Sequence, residues 1–92
     1  MAEVVRLNEA LTQLDQIASY IAIFDPLAAQ RVAIWLFDLG ESLATFPNRG
    51  RLASGGTREL VTVRPYILRY EVVGDTVTIL SVRHAARLWD VP

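Results

Sequence analysis

Cysteine is absent from the 92 residues, and histidine occurs once, at position 84. Without cysteine there are no disulfides, and a single imidazole cannot assemble a zinc site, which takes several Cys or His ligands. Lysine is absent too, so all nine basic residues are arginine. An arginine-only set fits a genomic base bias as well as it fits a preference for bidentate, stacking contacts. The opening stretch MAEVVRLNEA has no basic segment followed by a long apolar one, and no run approaches the roughly eighteen apolar residues of a membrane span. The expectation is a cytoplasmic chain that makes no membrane contact.

The residues that are present strain against the size of the chain. Ninety-two residues suit one domain, 1–92, in which folding buries roughly 60 to 65% of the unfolded surface. Yet 52% of the residues are hydrophobic, above the about 45 to 50% usual for globular domains. A partner chain or self-association is the expected way to cover the excess. Net charge is −1, but it is unevenly spread. Residues 1–46 hold two arginines against six acids, and residues 47–92 hold seven against four.

Local patterning gives the element order. Val4 and Val5 read as a short strand leading to Asn8, taken as a helix N-cap. Leu11, Leu14, Ile17, Ala18 and Ile21 recur at spacings of three and four, the mark of an amphipathic helix. Asp25 and Pro26 end it and start a second, since Asp caps free N–H groups and Pro suits the first helical position. That second helix carries Ala29, Val32, Leu36, Gly40 and Leu43 on one stripe, with Gly40 marking a close helix crossing. A loop of about ten residues, FPNRGRLASGGT, precedes the β-rich runs RELVTV, YILRYEVV and TVTILSV, the last two joined at Gly74-Asp75. The fold class is α+β: β-α-α-β-β-β, a helical hairpin on one face of a mostly antiparallel four-stranded sheet.

A two-residue turn at Gly74-Asp75 sets the hairpin register. Val72 then faces Val77, Tyr70 faces Ile79 and Leu68 faces Ser81, so Leu68, Tyr70, Val72, Val77 and Ile79 share the helix side. Strict alternation puts Ile67, Arg69, Glu71, Val82 and His84 on the opposite, half-charged face, a candidate contact surface.

Catalytic signatures are weak. A serine nucleophile would have to pair with His84, and no nucleophile-elbow spacing surrounds Ser19, Ser42, Ser54 or Ser81. LASGGT lacks the Gly-Lys-Ser/Thr ending of a phosphate loop and precedes a strand. Asp38, Glu41 and Arg31 sit at helical spacing that marks a solvated face. Leu27 and Ile34, seven apart on the polar side of the second helix, fit either scattered exposed apolar residues or a seam for a partner, flanked by Trp35 and Phe37.

Taken in order, the segments LDQIASYIA, DPLAAQRVAIWL, FPNRGR and TRELVTVRPYILRYEVVGDTVTILSVRHAARLW resemble the ParE-like branch of the RelE/ParE superfamily, the toxin halves of bacterial toxin-antitoxin pairs. The resemblance runs from about Leu7 to Trp89. Its most specific parts are Phe-Pro-x-x-Gly-Arg, Arg-Glu-Leu, Tyr-x-x-x-Tyr and the His-x-x-Arg-x-Trp ending. It implies a cofactor-free toxin of the plasmid-stabilising kind, held silent in a hetero-oligomer by a cognate antitoxin that alone contacts operator DNA.

The ParE-like branch poisons DNA gyrase by binding, whereas RelE-like relatives cut mRNA in the ribosomal A site, and fold alone does not separate them. Where some of those nucleases carry a strand arginine this chain has Ile67, and their terminal tyrosine gives way to LWDVP. Arg69 and Arg83 could still stabilise a phosphate transition state, and a non-toxic, antitoxin-binding member is a third alternative. The resemblance favours gyrase and no catalytic residue. It implies that His84 serves structure or docking and that Arg87 and Trp89 make contacts, in keeping with the weight of Arg and Trp in binding hot spots. Arg58, Arg69, Arg83 and Arg87 are expected to lie near one another, some paired with Glu59, Glu71 or Asp90 and the rest open to a target or antitoxin.

Overall fold

The computed structural model describes residues 1–85. Within them the chain forms β1 (Glu3–Arg6), α1 (Asn8–Phe24), α2 (Pro26–Glu41), β2 (Arg51–Leu52), β3 (Arg58–Leu60), β4 (Tyr66–Val73) and β5 (Thr76–His84). The five strands form one sheet in the order β1-β5-β4-β3-β2. All neighbours are antiparallel except β1, which runs parallel to β5 with Val4 beside Val77 and Arg6 beside Ile79. Both helices pack on one face of the sheet. The expected α+β architecture is present, with one strand more than the four expected. The extra strand, β2, lies in the glycine-rich loop, where a two-residue ladder puts Arg51 beside Glu59 and Leu52 beside Arg58.

The helix boundary between α1 and α2 follows the sequence closely. Asp25 is extended at φ −157°, and its carboxylate accepts the Ala28 N–H at 3.0 Å, with Pro26 next in the first turn. At the start of α1 the expectation fails by one residue. Leu7 is the N-cap and makes no side-chain cap bond, while Asn8 is already helical. The Leu7 N–H bonds to the Ile79 carbonyl of β5 at 3.1 Å, which extends the β1–β5 ladder to the start of the helix.

The core joins Ala10 of α1, Leu36 and Leu39 of α2 and Leu43 to Leu60, Leu68, Tyr70, Val77, Ile79 and Val82 of the sheet. Ala29, Leu36 and Gly40 fall on the expected stripe of α2 and are buried. In α1 the stripe is rotated slightly, so that Ala10 is buried and Leu11 is exposed. Gly40 makes room for the sheet rather than for α1. A Cβ there would lie 2.7 Å from Ile79 Cδ1 and 3.0 Å from Arg6 Nη2.

A bulge changes the hairpin register. The Gly74-Asp75 turn forms as expected, with Gly74 at φ 59°, and Tyr70 lies opposite Ile79. The next pair is Arg69 with Ser81, which leaves Leu80 without an opposite residue. One extra residue reverses the alternation beyond it. Leu68 therefore faces Val82, not Ser81, and Tyr66 faces His84. Val82 and His84, expected on the open face, belong to the helix side, and Val82 is core at 5% exposure.

Candidate functional site

Two surfaces gather the residues singled out above. The first is a cleft that the bulge creates. Strand β1 ends opposite Ile79, so beyond that point the edge of β5 has no strand beside it, and α1 crosses it instead. Gln13 of α1 takes over the ladder's role: its Oε1 accepts the Val82 N–H at 2.8 Å. Past this bond the helix and the strand ends diverge around a cleft of about 400 Å³, lined chiefly by Gln13, Gln16 and Tyr20 of α1 and by Tyr66, Arg83 and His84 of the sheet. The Tyr66 ring, buried on the helix side, meets the His84 ring edge-on with centroids 5.5 Å apart and planes at 89°, a favoured aromatic geometry.

Amides, two phenol rings and an imidazole beside Ile17, Ile21 and Val82 make this cleft suited to holding a polypeptide segment with both apolar and polar side chains. It is not laid out for acyl transfer. Ser81 pairs opposite Arg69 on the other face of the sheet from His84, Ser42 donates to the Leu39 carbonyl, and Ser54 accepts from Arg69. No group of three His, Cys, Asp or Glu that could hold a metal ion occurs among the described residues.

The second surface is the outward side of α2. Leu27, Ile34 and Trp35 are exposed there at 67%, 57% and 53%. Phe37 is half exposed on the opposite flank of the helix. The Arg6 guanidinium lies 4.1 Å from its ring centroid and also donates to the Phe37 carbonyl at 3.2 Å. Arg6 is held in turn by Glu41 at 3.0 Å. Phe37 thus braces the first strand against α2, apart from the seam formed by the other three.

Among the described residues, Arg58 and Arg69 lie on opposite faces of the sheet. Arg58 lies on the helix side and donates to the Asn48 and Gly50 carbonyls at 3.1 and 2.7 Å. Arg69, on the open face, is 3.7 Å from Glu59 and donates to Ser54 at 3.2 Å. Its Nε, buried, has no hydrogen-bond partner among the described residues. Glu59, not Glu71, takes the ion pairs, holding Arg51 at 3.4 Å as well. Arg83 is exposed opposite Ile67, which is itself buried at 8% beside a cleft of about 350 Å³ flanked by Arg51 and Arg64. Arg87, Trp89 and Asp90 lie outside the described residues.

Sequence reasoning missed Gln13, Tyr20 and Tyr66, and with them the exposed Ile23 and Phe24 at the end of α1. Tyr20 and Phe24, four residues apart and in edge contact at 5.5 Å, were the available signal, an aromatic pair beside the main apolar stripe.

A helical hairpin on one face of a five-stranded sheet, with apolar residues left open, defines a small α+β domain. The comparisons with known proteins give it a family. Residues 4–89 match the model of the ParE toxin of type II toxin-antitoxin systems, parDE. The chain is 52% identical over 88 residues to Toxin RelE2 of Caulobacter vibrioides, covering 96% of this chain and all of that one. It is 43% identical over 82 residues to Y4kP of Sinorhizobium fredii, covering 87% and 84% of the two chains. Among solved structures, the chromosomal ParDE TA system from P. aeruginosa superposes with a TM-score of 0.81 at 21% identity, over 91% of this chain and 96% of that one, a likeness of fold. The chain belongs to the ParE toxin family of type II toxin-antitoxin systems. No described helix is long and apolar enough to cross a membrane.

Proposed function

We propose that this toxin arrests growth by binding DNA gyrase, without a cofactor and without cutting RNA, and that a cognate antitoxin silences it in a hetero-oligomer that reaches operator DNA only through the antitoxin. The observation that carries this reading is the fate of the strand arginines. Arg58 is spent on loop carbonyls and Arg69 on Glu59 and Ser54, while the neighbouring position 67 is a buried isoleucine. A nuclease needs guanidinium groups aimed at a phosphate and an acid-base group within reach of the leaving oxygen. Of the five strand arginines only Arg51, which pairs with Glu59, and Arg83 are exposed. The competing reading, a ribosome-dependent mRNA endonuclease, is favoured by one feature, the exposed Arg83 next in the strand to His84, although the two side chains lie on opposite faces of the sheet.

The antitoxin's covering segment fits the same cleft, with Arg83, Arg87 and Trp89 as contacts and His84 fixing the strand end through Tyr66. A gyrase inhibitor acts in the cytoplasm. The test is induction of the toxin in cells with and without its antitoxin. The expected result is growth arrest relieved by the antitoxin and, independently, by raised levels of gyrase. Arrest that gyrase does not relieve, accompanied by truncated mRNA, favours the nuclease, and normal growth without antitoxin favours a non-toxic member.

A further inference from the structure

The outward side of α2 carries Leu27, Arg31, Ile34, Trp35 and Asp38, all exposed. Arg31 and Asp38 make no ion pair among the described residues, since the three ion pairs there use other groups. At 100° per residue these five positions span one continuous side of the helix, opposite the buried Ala29, Leu36 and Gly40. Their order along the helix is self-complementary. A two-fold axis passing between Ile34 and Trp35 sets residue i against residue 69 − i of an antiparallel copy. Arg31 then meets Asp38 of the second copy and Asp38 meets its Arg31, while Ile34 and Trp35, 100° apart on the helix, flank these contacts, each beside its counterpart in the second copy. In a parallel pair each residue would face its own kind, with Arg31 against Arg31, so charge selects the antiparallel arrangement.

We propose that this face is a self-association surface, on which α2 pairs antiparallel with α2 of a second copy of the chain through reciprocal Arg31–Asp38 contacts flanked by Ile34 on one side and Trp35 on the other. The argument does not depend on which target the toxin acts on. The face is one helix wide and about 24 Å long for sixteen residues, so it is smaller than the roughly 800 Å² per partner of a stable complex. The dimer is therefore weak and concentration-dependent. It leaves the α1 cleft free on both copies.

Sedimentation equilibrium of the full-length toxin, freed of antitoxin, tests this over a wide range of concentration. The wild type should pass from monomer to dimer. Arg31→Asp and Asp38→Arg should each weaken the dimer by about tenfold or more, because two attractive pairs become repulsive. Arg31→Asp combined with Asp38→Arg restores opposite charges at both contacts and should restore self-association. The two single variants mixed together should form a heterodimer, since one carries two acids and the other two arginines on this face. Both substitutions are at exposed positions, and circular dichroism confirms that each variant folds. A wild type that stays monomeric, single variants that dimerise like the wild type, or a charge-swapped double variant no better than the singles would each overturn the proposal. So would loss of antitoxin affinity in the single variants with self-association unchanged, which would assign the face to the antitoxin.

Discussion

The hydroxyl of Tyr70, a fully buried core residue, is satisfied twice. It accepts the Gly50 N–H at 2.9 Å and donates to the Pro47 carbonyl at 2.8 Å, so a residue fully buried in β4 holds the loop that leads to β2. Tyr70→Phe removes both bonds and leaves a buried N–H unpaired, at a cost of about 1 to 3 kcal/mol. Thermal unfolding should register it as a fall of several degrees or more in a chain of this size. Unfolding unchanged from the wild type would contradict the assignment of that hydroxyl. The two buried glycines should behave differently. A Cβ on Gly50 would sit 2.8 Å from the Tyr70 ring and 3.0 Å from the Glu59 carbonyl oxygen, which is backbone. At Gly40 the crowding atoms are the ends of Ile79 and Arg6, which can swing away, and alanine there gains up to about 1 kcal/mol of helix propensity. Gly50→Ala should therefore lower the midpoint of urea unfolding by more than Gly40→Ala does. The reverse order would mean that the loop yields more easily than the helix–sheet contact.

At the scale of elements, the helices were legible because a stripe repeating every three to four residues is a long signal that tolerates a rotation of one position, as with Ala10 for Leu11. The Asp25-Pro26 boundary was legible because capping is local chemistry. The bulge was not. A period of two carries no sign of an extra residue, and nothing in TVTILSV distinguishes Leu80 from its neighbours, so the alternation was carried two residues too far and His84 was put on the wrong face. The second strand was equally hidden, since two residues with a single antiparallel partner lie below any periodic signal. The cleft followed from these misses. Its helix side, Gln13 and Tyr20, reads in sequence as the solvated flank of α1, and only the bulge brings Val82 to it. Gln13→Leu should therefore destabilise by about 1 to 2 kcal/mol through the unpaired Val82 N–H, while Gln13→Glu, which keeps an acceptor, should lose much less. Equal losses for the two would show that the bond does not secure α1 to the end of β5.

For the whole molecule, the uneven charge seen in the sequence survives folding in a reduced form. Four of the seven arginines of the second half are drawn into internal contacts: Arg49 with Ser42, Arg51 and Arg69 with Glu59, and Arg58 with loop carbonyls. Arg83 stays exposed at the cleft, and with Arg87 it is the candidate for steering an acidic antitoxin segment. Such attraction raises the association rate more than the final affinity and weakens with salt. Stopped-flow association across ionic strength should show a salt-dependent rate whose slope falls in the Arg83→Ala, Arg87→Ala variant. A rate flat in salt would remove the basic rim from the encounter.

We propose that this ParE-family chain acts by occupying its target and not by turning over a substrate. The most direct measurement is DNA supercoiling by a fixed amount of purified gyrase titrated with purified toxin, run beside a ribosome programmed with mRNA. Inhibition that saturates at stoichiometric toxin, is abolished by the antitoxin, and leaves the mRNA intact is the predicted result. Unimpaired supercoiling together with discrete cuts at A-site codons that accumulate with time would contradict it.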